Sequence, residues 1–313
     1  MLTVSQPLQK LSGKVMSIVP FGFKGITECD AIVAMPPTFK FTKEILNCVE
    51  DCLGIKAFDA FAIPSFSKKL LSESHTVFQT LNIADKKHKI KKIILFQTSD
   101  SHEEGNSFSY SNQVMEDGYH IAGLLKSRDL ILHQYPRMEV TLVYVTLKEG
   151  QQHMVMSEVH PNGERETIFR AEYRFRGVYN CDTALIRCIE FRTRKQDRSF
   201  VRNSLKIPTF GLIGLPGASK RFLEDSQSAW EAINLACNTD GCKKIILMHH
   251  ADCGAYGGVA CFDGDAVSEE IMHRGEMYKL RDMIHKKYPN IEVVLVYVRL
   301  IHNQTKLQYV LFD

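Results

Sequence analysis

Residues 245–258, IILMHHADCGAYGG, set His249, His250, Asp252 and Cys253 directly behind an apolar run and ahead of a glycine cluster, and RCIEFR at 187–192 supplies Cys188, Glu190 and Arg192. Two thiolates and one imidazole make a good Zn²⁺ set. Three protein ligands also leave a fourth tetrahedral position for water, the arrangement of catalytic rather than structural zinc. Cys188, His250 and Cys253 are therefore the candidate ligands for one zinc per chain, with an acid and a cation, Glu190 and Arg192, close by in sequence. A single cysteine is more often a small buried hydrophobe than a ligand, so the argument rests on the combined set. His249 reads as a residue that packs or hydrogen-bonds beside the strand. Asp252 reads as a turn or cap residue that could also orient His250.

The elements that must position these residues come from an internal repeat. KKIIL occurs at 91–95 and again at 243–247, an offset of 152 residues. The same offset aligns CDAIVAM from Cys29 with CDTALIR from Cys181, and Pro64 with Pro216; after one insertion, YPRMEVTLVYVTL from Tyr135 meets YPNIEVVLVYVRL from Tyr288. The chain reads as a tandem duplication, with a first repeat over 1–150, a linker hairpin over 151–177 turning at Pro161-Asn162-Gly163, and a second repeat over 178–313. Each half alternates short β-branched runs with helix-length segments, which predicts an α/β fold: two repeats of a mostly parallel sheet flanked by helices, joined as a covalent pseudo-dimer. A helix is expected over FLEDSQSAWEAINLAC, 222–237. The proposed ligands sit at strand ends, where parallel sheets gather their ligands. The halves differ there: the offset puts Pro36, Thr38 and Lys40 opposite Cys188, Glu190 and Arg192, and Thr98 and Ser101 opposite His250 and Cys253.

Bulk properties exclude several classes. With 39 Lys+Arg against 36 Asp+Glu the net charge is +3, too small to imply nucleic acid. The basic runs KKHKIKK (86–92) and RTRKQDR (192–198) lack interleaved aromatics for base stacking. GLIGLPG (211–217) lacks the order of a dinucleotide loop and reads as a turn after the second strand. Nine scattered cysteines, an odd number without framework spacing, suggest reduced thiols. No segment approaches a membrane span, so a soluble, cytoplasmic protein without membrane partners is expected.

Cys188-Ile189-Glu190-Phe191-Arg192 followed by His250-Ala251-Asp252-Cys253-Gly254 resembles the beta class of carbonic anhydrases, whose signature is Cys-x-Asp-x-Arg and then His-x-x-Cys-Gly. The resemblance implies zinc held by Cys188, His250 and Cys253, with Glu190 and Arg192 in place of the family's Asp–Arg pair. It also implies reversible hydration of carbon dioxide to bicarbonate by zinc-bound hydroxide. Beta-class enzymes act as dimers whose pockets are lined partly by the neighbouring subunit. A degenerate first repeat would supply that wall, and full-length chains could pair further as a homo-oligomer. Glu for Asp at 190 moves the carboxylate outward by about 1.5 Å, which bears on activity more than on metal binding. Two alternatives stay open: hydrolysis of carbon disulfide or carbonyl sulfide on the same fold, and a non-catalytic zinc protein with an assembly or partner-binding role.

Overall fold

The interior strands are apolar on both faces, as in AIVAM (31–35) and TALIR (183–187), where every residue is buried. Strands of that kind must be covered from both sides, so helices pack on each face of the sheet. The computed structural model of the protein describes residues 13–21, 28–37, 41–64, 66–72, 74–99, 110–147, 153–172, 181–224 and 226–313.

In chain order, the first half contains β1 (Lys14–Pro20), β2 (Ala31–Met35), α1 (Thr42–Asn47), β3 (Phe58–Ala62), α2 (Phe66–Ser72), α3 (Ser74–His88), β4 (Lys92–Thr98), α4 (Gln113–Gln134) and β5 (Glu139–Leu147). The hairpin β6 (His153–Val159) and β7 (Arg165–Glu172) follows. The second half contains β8 (Thr183–Arg187), α5 (Arg194–Asn203), β9 (Gly211–Gly214), α6 (Lys220–Leu223), α7 (Gln227–Asn234), β10 (Lys244–His250), α8 (Ala266–Lys287), β11 (Glu292–Ile301) and β12 (Lys306–Phe312). Among the described residues the twelve strands form one sheet in the order β1-β12-β11-β10-β8-β9-β3-β2-β4-β5-β6-β7. The α/β class and the largely parallel, helix-flanked sheet are as expected from the sequence.

Read outward from the β3–β9 junction, the two directions give the same sequence of connections. Parallel pairs link β3-β2-β4-β5 on one side and β9-β8-β10-β11 on the other. Antiparallel strands then close each edge. The junction itself is narrow: Ala62 pairs with Gly214, and the Ala60 amide donates to the Ile189 carbonyl at 3.0 Å. A Cβ on Gly214 would lie 2.4 Å from the Ala60 carbonyl oxygen, so only glycine permits this crossing. Ion pairs also tie the halves together, Lys69 to Glu231 at 2.6 Å and Arg194 to Glu50 at 2.8 Å.

The Pro161-Asn162-Gly163 hairpin is present, with Gly163 at φ +85° and its amide donating to the His160 carbonyl at 2.8 Å. Both of its strands extend the first half's sheet beyond β5, rather than bridging the two halves. The other outer edge is closed by β1, which comes from the start of the chain and pairs with β12. Edge strands are thus exchanged reciprocally, which removes an unpaired apolar edge from each half.

The helix expected over 222–237 is broken. α6 ends at Leu223, Ser226 is extended (φ −67°, ψ 114°) ahead of α7, and a π turn follows over Leu235–Thr239. Serine favours such a start position over a helix interior. The 22-residue helices α4 and α8 begin with side-chain caps. Asn112 accepts from the Met115 amide, and Asp265 accepts from the amides of Val267 and Ser268. Each ends at the tyrosine of a repeated Tyr-Pro pair, because the residue before proline is driven out of helical geometry. Among the described residues no helix is long and apolar enough to cross a membrane.

Candidate metal centre

β8 and β10 are parallel neighbours in register, Met248 opposite Arg187, so their carboxyl ends finish at nearly the same level. Cys188 is the first residue beyond β8, and His250 is the last of β10. Cys253 follows one tight turn later, after Asp252 at φ +54°. The ligand atoms of Cys188, His250 and Cys253 all lie within 4.8 Å of one another, and all three side chains are buried. The structure therefore brings the sequence-predicted trio to one point, and this group could hold a metal ion.

The geometry suits a tetrahedral ion. The two Sγ atoms are 3.8 Å apart. Zinc–sulfur bonds of about 2.3 Å opened to a tetrahedral angle place two sulfurs about 3.8 Å apart. His250 Nδ1 meets the Ala251 carbonyl at 2.9 Å, which makes it the protonated nitrogen and leaves Nε2 as the acceptor. That Nε2 is buried with no hydrogen-bond partner, a costly state that a metal ion would relieve.

A hydrogen bond from Cys253 holds the Cys188 thiol well below its ordinary range despite burial, with His250 assisting. The Gly217 amide also donates to Cys188 Sγ at 3.3 Å. Cys253 is pushed well above its ordinary range by that same bond and by burial. Burial opposes charge on His250, but the Cys188 thiolate outweighs it and raises the imidazole.

Glu190 and Arg192 lie in the loop that leaves β8. Glu190 Oε1 accepts from the Arg192 backbone amide at 2.9 Å and from Nε at 2.7 Å, and Oε2 accepts from Nη2 at 2.8 Å. Glu190 is 1% exposed. Burial works against its ionisation, but the guanidinium overcomes that and holds the carboxyl at about 2. Arg192 also donates from Nη1 to Asp252 Oδ2 at 3.2 Å and from Nη2 to the Asp252 carbonyl at 3.1 Å. Asp252 therefore anchors Arg192, and its Oδ1 accepts from the Val259 amide at 3.2 Å; the orienting acceptor of His250 is the Ala251 carbonyl. His249 is buried and accepts from Ser219 Oγ at 2.8 Å, with its Nδ1 2.9 Å from His273 Nδ1. It is a packing and hydrogen-bonding neighbour of the site.

Arg187 holds the loop in shape from below. Its guanidinium pairs with Asp197 at 2.8 Å and donates to the Glu190 carbonyl at 2.7 Å and to Thr193 Oγ1 at 3.2 Å. Neither Arg187 nor Gly217 carries a signal that sequence reading could have separated from an ordinary strand end and turn.

The first half supplies a second buried group. Cys29, Asp59 and His88 also place possible ligand atoms within 4.8 Å of one another. His88 Nδ1 lies 2.6 Å from Asp59 Oδ2, shorter than two ligands of one tetrahedral ion would be, so the pair is an ion pair in this state. Burial opposes the imidazolium, but Asp59 holds His88 up to about 9. The His88 ring packs edge-on against Phe191, 5.4 Å between centroids, so this pair backs the Cys188–Arg192 loop. Its residues lie ahead of β2, within β3 and at the end of α3, and the offset of 152 sets Cys181, Gly211 and Asp240 opposite them, so no motif announced it. At the first-half positions opposite the candidate site, Pro36 is buried beyond β2 and Thr98 is buried at the end of β4. Thr38, Lys40 and Ser101 lie outside the described residues.

Comparison with known proteins points to the same part of the chain. Residues 179–309 match the model of a family described as "Putative carbonic anhydrase". An uncharacterized protein of Rickettsia conorii is 26% identical over 118 residues, 36% of this chain and 63% of that protein's own length. An uncharacterized protein of Rickettsia bellii is 25% identical over 118 residues, 36% of this chain and 72% of the relative. The matched segment, 179–309, contains Cys188, Glu190, Arg192, His250 and Cys253, and is similar to that carbonic-anhydrase-like family.

Proposed function

We propose that the chain binds one zinc ion through Cys188, His250 and Cys253 and catalyses the reversible hydration of carbon dioxide to bicarbonate. The observation that carries this reading is the 3.8 Å sulfur–sulfur separation beside a buried, unpartnered His250 Nε2. Zinc bound there would supply the Lewis acidity that turns water into a nucleophile near neutral pH. Two thiolates neutralise a divalent ion, so the chain's own groups must complete the electrostatics. Arg192 keeps Glu190 ionised and fixed by three hydrogen bonds. A carboxylate accepts about four, so one acceptor position remains to orient a water or bicarbonate proton. Burial of the ligands keeps bulk water away from the charges. The first repeat, over 1–150, acts on this reading as the wall that a neighbouring subunit provides in beta-class dimers, through the His88–Asp59 pair behind Phe191.

Metal analysis and stopped-flow carbon dioxide hydration on the zinc-loaded protein test the proposal. One zinc per chain is expected, with activity lost in Cys253→Ser. Full loading with hydration no faster than that variant would overturn the enzymatic part, and sulfide release from carbonyl sulfide or carbon disulfide would redirect it to those substrates. No metal under any loading condition would overturn all of it.

A further inference from the structure

Helices α1 and α5 occupy aligned places in the two halves of the sequence. The offset of 152 aligns Thr42, Lys43 and Glu50 with Arg194, Lys195 and Arg202. On one side the charges cancel: Glu50 accepts from Arg194 at 2.8 Å and lies 2.9 Å from the Lys195 ammonium. On the other side Arg202 stands at the position of Glu50, so a cation faces Lys43 where an acid faces Lys195. A cavity of about 320 Å³ opens here, lined by Thr42, Lys43, Glu44, Arg198, Arg202 and Thr209 among others. Three cations there face one carboxylate.

The arginines are not otherwise satisfied. Among the described residues neither Arg198 nor Arg202 forms an ion pair, and Arg202 Nε is buried with no acceptor. The Arg202 guanidinium lies 5.9 Å from the Phe210 ring. Burial, then the charges of Arg202 and Arg194, hold Arg198 down to about 10. The cavity is separate from the thiol cluster: Phe210 belongs to one buried cluster, Cys188 and Cys253 to the other.

We infer that this cavity binds a phosphoryl oxyanion, as free phosphate or a small phosphomonoester, between the guanidinium groups of Arg198 and Arg202. Guanidinium forks match tetrahedral oxyanions in shape and charge, and the exposed Thr209 hydroxyl offers a further donor. An anion here does for Arg202 and Lys43 what Glu50 does for Arg194 and Lys195.

The test is isothermal titration of the full chain with inorganic phosphate and, separately, glycerol phosphate at constant ionic strength. Saturable binding of one anion per chain is expected, weakened about tenfold by either Arg198→Gln or Arg202→Gln, the size expected for losing a charge-assisted hydrogen bond. Tighter binding of glycerol phosphate would assign the site to esters, and equal or tighter binding of phosphate to the free ion. Arg202→Glu restores the charge pattern of the opposite side, so its melting temperature in phosphate-free buffer should rise and its response to phosphate should vanish. Binding undiminished in all three variants, or none by the wild type, overturns the inference, as does an Arg202→Glu variant that melts lower and still responds to phosphate.

Discussion

Arg192 is the residue on which the candidate site's electrostatics turn. Among the described residues it supplies the hydrogen bonds to the Glu190 carboxylate, and Glu190 is 1% exposed. Arg192→Gln leaves that carboxylate buried without its cation, and breaking a buried pair in this way costs about 3–5 kcal/mol. Urea denaturation should show a loss of that order, while metal content stays at the wild-type level because no ligand has changed. The His88–Asp59 pair gives a pH signature. His88 is raised from 6.5 to about 9 in the folded chain by Asp59, whose own carboxyl is raised by burial to about 6, so the pair's contribution is largest near pH 6.5, is lost as pH rises through 9 and falls again as Asp59 is protonated below about 6. Wild-type stability, measured against His88→Gln, should show an advantage near pH 6.5 that closes above pH 9. An advantage that does not change over that range would mean the pair is not charged in the folded chain.

At the scale of elements, the site is assembled by two strand ends and the turn after β9. Gly217 in that turn has φ +71°, and a Cβ there would lie 2.9 Å from the Tyr256 ring. Gly217→Ala therefore combines left-handed strain of about 1–2 kcal/mol with displacement of the amide that donates to Cys188. Lower thermal stability and weaker zinc retention in a chelator competition should appear together in this variant. Loss of stability with unchanged retention would show that the amide does not tune the thiolate. The Arg187–Asp197 pair plays the corresponding part for the loop leaving β8, since the same guanidinium holds the Glu190 carbonyl.

Across the whole molecule, the strand order is the same in both directions from the β3–β9 junction and the outer strands are exchanged; we propose on this basis a covalent pseudo-dimer, with repeats over 1–150 and 178–313 and the hairpin of 151–177 between them. The exchange makes a specific demand. β1 belongs to the N-terminal half in sequence but to the C-terminal half's sheet in space, through its pairing with β12. A chain that begins at Phe21 should therefore show hydrogen exchange about tenfold faster or more at β12, with β6 and β7 unchanged. Unaltered protection at β12 would mean that β1 adds nothing to that edge.

The sequence by itself determined the α/β class and singled out Cys188, His250 and Cys253, the trio that the fold brings within 4.8 Å of one another, because strand alternation, apolar runs and residue chemistry are local properties readable from residue type and spacing. It also placed the hairpin turn, since Pro161-Asn162-Gly163 encodes its own geometry. The tertiary structure decided what depends on distance between remote residues: that His250 spends Nδ1 on Ala251 and keeps Nε2 free, that Asp252 serves Arg192, and that His88 and Asp59 of one half back the loop of the other. It decided as well that the hairpin strands extend one end of the sheet beyond β5 while β1 closes the opposite edge beside β12. Hydrogen-bond partners and strand neighbours are chosen by which surfaces meet in the folded chain, and no window of residues along the sequence contains that choice.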